Sequence, residues 1–161
     1  MADDSPNRVC ILVLSGDMEK GLAAMNLSLA SLASGGQVTL FFTFWGLNFL
    51  KKRGARGRGS FRQRLFARIN RDHAGAQRLG RFHAGGLGRR MLMEIMKDKR
   101  VEDFRTSLRS AKAMGAKVIA CSTTLEMMGL DESSLIEEVD EIAGAASFLE
   151  DARGATVVTL G

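Results

Sequence analysis

"KVIACSTTLEMMGL", residues 117–130, changes character in the middle. Val118, Ile119 and Ala120 form an apolar run that ends in Cys121 and reads as a strand. Three hydroxyl residues follow, then a methionine pair and Gly129, and this part reads as a short helix around 124–129. A strand passing directly into a helix is half of a β–α unit. It also leaves a cysteine where the two elements meet.

The same alternation extends in both directions. Upstream, "EDFRTSLRSAKAMG", 102–115, puts Phe104, Leu108, Ala111 and Met114 on one side, and Gly115 ends it as a helix. "RVCILVLS", 8–15, is a strand closed by the turn "SGD", and Leu22, Met25, Leu29 and Leu32 make 18–34 an amphipathic helix. "QVTLFFTFW", 37–45, is β-branched and aromatic, a second strand, and residues 46–52 begin a short helix. Helices are expected over 91–99, 132–138 and 144–154, a last strand over 156–160 and a short fifth strand near 139–142. Strands alternating with helices predict an α/β fold, a doubly wound parallel sheet covered on both faces. The 161 residues suit a single domain, and nothing indicates a repeat.

Charge divides the chain unevenly. Lys51 to Arg90 holds 13 Lys or Arg against one acid, Asp72, while the other 121 residues hold 10 basic and 17 acidic side chains. An acidic body therefore carries a basic insert, at about 51–95, that is glycine- and arginine-rich over 53–64. An insert of that length is commonly functional. Two cysteines are no disulfide framework, so a reducing, cytoplasmic setting is expected. "MADDSPNR" has no basic leader pattern, and the longest apolar stretch, 38–50, is too short to span a bilayer.

In an open parallel sheet, ligands bind beyond the carboxyl ends of the strands. Cys121 lies at such an end, where N–H groups and the dipole of the next helix favour a thiolate. Ser122, Thr123 and Thr124 add hydroxyl donors. A nucleophilic or sulfur-carrying cysteine needs this setting; the competing reading is a buried structural cysteine. Cys10, mid-strand between Val9 and Ile11, reads as structural. No CxxC pair is present. His73 and His83 make no metal-ligand spacing with Cys121, and no metal or organic cofactor is expected. "SGDMEKG", 15–21, is a turn that would hold a small anion, with Asp17 as the helix cap. Met91, Met93 and Met96 read as packing.

Four segments in order, "VTLFFTFWGLNFL", "AGGLGRRML", "GAKVIACSTTLEMMGL" and "IAGAASFLEDA", resemble the DsrE/DsrF/DrsH-like family, most of all its single-cysteine, peroxiredoxin-like or sulfur-reduction branch. The resemblance covers about residues 9–160. The segment "GRFHAGGLG", with Arg81, His83 and Leu87, departs from the methionine- and glycine-rich pattern of that branch. The resemblance implies a three-layer α/β/α fold with a mostly parallel sheet, and homo-oligomers, often trimers or hexamers. It implies sulfur relay in which Cys121 accepts sulfane sulfur as a persulfide and passes it between donor and acceptor proteins, as a carrier or a sulfurtransferase. It places Phe44, Trp45 and Gly46 near the site, and would bring Ser15, Gly16 and Asp17 to the same sheet edge.

A reading of another class makes the protein a binding module whose Arg/Gly-rich insert contacts an acidic partner or nucleic acid. Aromatics in the insert are sparse, Phe61, Phe66 and Phe82, which argues against base stacking. The insert also keeps Leu65, Ile69 and Leu79, which favours an arm packing on a neighbouring subunit. The aromatic excess of "FFTFWGLNFL" points to a subunit contact too. "FRQRLFARINR", 61–71, would form a basic amphipathic helix suited to peripheral membrane contact.

Overall fold

A computed structural model describes residues 7–55, 60–63, 70, 73, 77, 79 and 87–161. Five strands, Arg8–Val13 (β1), Gln37–Phe42 (β2), Lys117–Cys121 (β3), Glu141–Ala143 (β4) and Thr156–Leu160 (β5), form one sheet in the order β4-β3-β2-β1-β5. Every pairing is parallel. The helices are Met18–Ala33 (α1), Leu87–Asp98 (α2), Phe104–Ala113 (α3), Ser122–Met127 (α4) and Ala145–Asp151 (α5). Phe44–Leu50 and Glu132–Ser134 are 3-10 helices. This is the α/β/α arrangement expected, with five strands.

The topology explains an unequal covering. From β1 to β4 the chain steps across the sheet in one direction, and β5 then returns to the far side of β1. A right-handed crossover made in the reverse direction puts its helix on the opposite face. Accordingly, Ile11, Val13, Leu40, Phe42, Val118 and Ala120 pack beneath α1 and α3, whereas Cys10, Phe41, Ile119, Cys121 and Ala143 face α5. The thick layer holds the larger core. Phe49 stacks on Phe104 with centroids 4.5 Å apart, and Phe42 meets Phe104 edge-on at 6.1 Å. Gly21 in α1 leaves room for the Phe49 ring, since a Cβ there would lie 2.3 Å from a ring carbon. On the thin side Phe41 and Phe148 pack at 5.0 Å.

Several expectations need correction. β1 stops at Val13, because the N–H groups of Leu14 and Ser15 both turn to the carbonyl of Leu160. β2 stops at Phe42, and the chain turns at Phe44, whose φ of +46° opens the 3-10 helix. The helix expected over 132–138 is only Glu132–Ser134, capped by the Asp131 carboxylate accepting from the Ser134 N–H. Asp17 stands at the N-cap of α1, but its side chain makes no capping bond; its N–H donates to Ser15 Oγ, 3.0 Å away. The large side chains of "FFTFWGLNFL" are used inside the chain: Phe41, Phe42, Leu47, Phe49 and Leu50 are buried, and only Phe44 and Trp45 of that stretch stand exposed. No described helix is long and apolar enough to cross a membrane.

The root of the basic insert is a core tie. Lys51 is buried, and its ammonium donates to Asn48 Oδ1 (3.1 Å) and the Asn70 carbonyl (2.9 Å). Its backbone pairs with Leu135, and Lys52 donates to the Ser133 carbonyl. Leu65, Phe66, Ile69, Arg81, Phe82 and His83, and most of the helix expected over 61–71, lie outside the described residues.

Candidate functional site

The carboxyl ends of β1, β2 and β3 share one sheet edge, and short-range backbone constraints bring their following turns together. Gly46 donates its N–H to the Leu14 carbonyl at 2.9 Å, and a Cβ on Gly46 would lie 2.2 Å from the Val13 oxygen. A Cβ on Gly16 would lie 2.9 Å from the Trp45 oxygen. Only glycines allow the β1–α1 turn and the 3-10 helix to approach this closely. Gly16 therefore meets Trp45, and Gly46 meets the end of β1. Among the described residues, no hydrogen bond or ion pair joins Ser15 or Asp17 to Cys121.

Cys121 is the last residue of β3 and the N-cap of α4, with no loop between. It is 6% exposed, beside Ala143 of the neighbouring β4. Its thiol makes no hydrogen bond of full capping geometry, so the first-turn N–H groups of α4 act on the sulfur as nearby dipoles. Burial alone would raise its pKa. The hydroxyls of Thr124 and Thr43, with the N–H groups of Thr124 and Thr123, act in the other direction and hold it below the ordinary thiol value. The two hydroxyl oxygens are 2.9 Å apart, and Thr124 Oγ1 also accepts from the Phe44 N–H at 3.1 Å. Each hydroxyl carries one proton. Whichever one donates to the other, the second keeps its proton for the sulfur.

Cys10 faces the same side of the sheet and behaves differently. It is 2% exposed, and its thiol donates to the Asp151 carbonyl at 3.4 Å. Burial, followed by the charge of Asp151, raises its pKa. The two cysteines thus move in opposite directions.

One turn along α4, Phe44, Trp45, Met127 and Met128 line an apolar cleft of about 280 Å³. Phe44, Trp45 and Met127 are half exposed. Phe44 keeps its left-handed backbone, unusual for a bulky residue, where its N–H is tied to Thr124. Ser122 is half-buried and lies toward Gly144 at the end of β4, and Thr123 is exposed. A larger cleft of about 610 Å³, lined by Lys52, Glu132, Glu137, Asp140 and Ile142 among others, contains none of the expected site residues. No group of three His, Cys, Asp or Glu among the described residues is arranged to hold a metal.

Thr43 is the site residue that sequence reasoning missed. It is one of two threonines inside the apolar run 38–50, far from Cys121 in the chain. Only the adjacency of β2 and β3 makes the two neighbours.

The family model for the DsrE/DsrF/DrsH-like family matches residues 5–160. The chain belongs to this family. "Uncharacterized protein YrkE" of Bacillus subtilis (strain 168) is 30% identical over 155 residues, spanning 96% of each chain. "Sulfur carrier protein DsrE2" of Allochromatium vinosum is 26% identical over 153 residues, 89% of this chain and 91% of its own. The solved structure of MTH1491, a protein of unknown function from Methanobacterium thermoautotrophicum, is 15% identical with a TM-score of 0.56, covering 95% of this chain and 98% of its own. That likeness establishes the shared fold.

Proposed function

We propose that this DsrE/DsrF/DrsH-like protein is a sulfur-relay protein, and that Cys121 carries sulfane sulfur as a persulfide. The observation that carries this reading is the ring of donors around a sulfur that burial alone would keep protonated: Thr43 and Thr124 hydroxyls and the first-turn N–H groups of α4. They are suited to a thiolate that forms and re-forms. The similarity to a protein named a sulfur carrier supports the same reading.

In the uptake step the Cys121 thiolate attacks the outer sulfur of a donor persulfide. A new S–S bond forms at Cys121, the donor's S–S bond breaks, and the donor leaves as a thiolate. In the delivery step an acceptor thiolate attacks the outer sulfur, and Cys121 departs as the thiolate that its neighbours stabilise. No net oxidation occurs and no cofactor is required. Donor and acceptor are partner proteins with reactive cysteines, in a reducing, cytoplasmic setting. Trp45, Gly46, Ser122 and Thr123, with the turn Ser15–Gly16–Asp17, form the surface they approach. The unit is one domain over residues 1–161, assembled as a homo-oligomer, with the insert at about 51–95 as an arm.

The test is to incubate the protein with a sulfane donor and weigh it intact. A gain of about one sulfur atom that is lost in Cys121→Ser is expected. A gain that persists in Cys121→Ser, or no gain in the wild type, overturns the proposal.

A further inference from the structure

The helix that begins at Cys121 ends against the first turn of the basic insert. α4 is six residues long, fewer than two turns, so one residue serves both of its ends. Thr124 turns its hydroxyl and its N–H toward the sulfur, and its carbonyl accepts the Met128 N–H at 2.9 Å. The carboxyl end closes as a Schellman turn. Gly129, with φ at +64°, donates to the Glu126 carbonyl (2.9 Å), and Leu130 donates to that of Leu125 (3.0 Å). Gln63 lies on that turn. Its Nε2 donates to the same Glu126 carbonyl at 3.0 Å, and a Cβ on Gly129 would come within 3.2 Å of the Gln63 Cβ. The other half of the Gln63 amide is engaged too. Oε1 accepts from the Ser60 N–H at 2.8 Å, and the Gln63 N–H donates to Ser60 Oγ at 3.4 Å. That reciprocal pair is a capping box, and it fixes which amide atom points at α4.

We propose that Gln63 is a positioning residue for Cys121: by holding the carboxyl end of α4, it keeps Thr124 against the sulfur. A helix this short is not stable by itself in water, so its place depends on what grips it. Toward the core, Leu125, Met128 and Leu130 are buried. At the sheet edge, Thr124 Oγ1 contacts Thr43 Oγ1 and accepts from the Phe44 N–H. That second grip runs through a strained residue, since Phe44 has φ at +46° and a left-handed backbone is costly for a bulky side chain. Gln63 grips the far end, from 63 positions away in the chain. Loosening that end frees the Glu126 turn, and with it the carbonyl partner of Thr124, the residue whose hydroxyl and N–H face Cys121. The insert thereby acquires a part in setting the reactivity of the cysteine. This role rests on Cys121 being the reactive thiol of the proposed relay.

The test is alkylation of the full chain by iodoacetamide from about pH 5 to 10, with Cys121 and Cys10 followed separately by peptide mass spectrometry. The pH at which labelling levels off reports the thiolate, and the plateau rate reports access to it. Gln63→Met keeps the length of the side chain, adds no charge and removes the donor to Glu126. Cys121 should then level off at a higher pH, and the fraction of its plateau rate reached at neutral pH should fall about threefold, part of the effect of one hydrogen bond. Cys10, which donates to the Asp151 carbonyl on the α5 side, should keep its profile. Ser60→Ala removes the hydroxyl of the capping box and leaves the Gln63 donor, so Cys121 should level off where the wild type does. A Gln63→Met profile that levels off at the wild-type pH, a shift shared equally by Cys10, or an equal shift in Ser60→Ala would each overturn the inference. Sulfur uptake is read separately. Wild-type protein that gains no sulfur overturns the relay whatever Gln63→Met does to labelling, and an unshifted Gln63→Met profile in a protein that gains sulfur overturns the role of Gln63 alone.

Discussion

Cys121 and Cys10 share a sheet face and a chemistry, and their surroundings separate them. Cys10 is held neutral by burial and by the Asp151 charge, while hydroxyl and N–H donors lower the pKa of Cys121. A thiol reagent at neutral pH should therefore label Cys121 before Cys10 in the folded protein and both equally after denaturation, as peptide mapping will read. Replacing both Thr43 and Thr124 with Val removes both hydroxyls that serve the sulfur, together with the acceptor of the Phe44 N–H. Alkylation of Cys121 should slow by about tenfold, and stability should fall by about 1–2 kcal/mol. The pH dependence has a definite sign. A depressed thiol pKa contributes stability that is fully present above the unfolded thiol's value, about 8.5, and is lost as pH falls through the folded value. Labelling of Cys121 should accordingly level off at a lower pH than that of Cys10. At this scale the sequence was informative about Cys121, because strand end, hydroxyl run and helix start are contiguous. It was silent about Thr43, whose contact with Thr124 spans 81 positions.

Elements were legible where periodicity is strong and less so where single bonds decide. All five strands and the helices after β1 and before β3 fall where they are expected, whereas the helix expected over 91–99 begins four residues earlier, at Leu87. The ends of β1 and β2 also depart, since they depend on where two N–H groups and one left-handed phenylalanine send the chain. The same close approaches give sharp predictions. Gly46→Ala drives a Cβ into the Val13 carbonyl at 2.2 Å, backbone against backbone, so a loss of about 3 kcal/mol or more should appear in urea unfolding. Gly21→Ala meets only the Phe49 ring, and a loss of about 1–3 kcal/mol is expected. Glu138 is buried between Arg109 at 2.9 Å and Arg105 at 3.4 Å, which tie α3 to the approach to β4. Burial raises its pKa, but Arg109 first and then its other partners lower it below the ordinary 4.5. Its contribution to stability is present above that value and lost as pH falls through the folded pKa. Glu138→Gln should cost about 1–3 kcal/mol at pH 7 and less near pH 3, as denaturant midpoints at the two pH values will show.

On the scale of the whole molecule, charge distribution revealed the basic insert but not its anchoring. Lys51 looks from the sequence like the first surface cation of the insert, yet it lies buried with Asn48 and Asn70. A tally of charges carries no information about which long side chain turns inward. The aromatic excess of residues 41–50 was misleading for a related reason: a five-stranded sheet with a thick layer on one face uses Phe42, Phe49 and Leu50 itself. What remains exposed at the sheet edge is Phe44 and Trp45, beside the helix that begins at Cys121. The most direct measurement is the sulfur content of each cysteine in protein taken from cells supplied with sulfane sulfur and mapped by peptide mass spectrometry. The Cys121 peptide should carry one additional sulfur and the Cys10 peptide none. Sulfur on Cys10 with none on Cys121, or on neither, would contradict a carrier that works through Cys121.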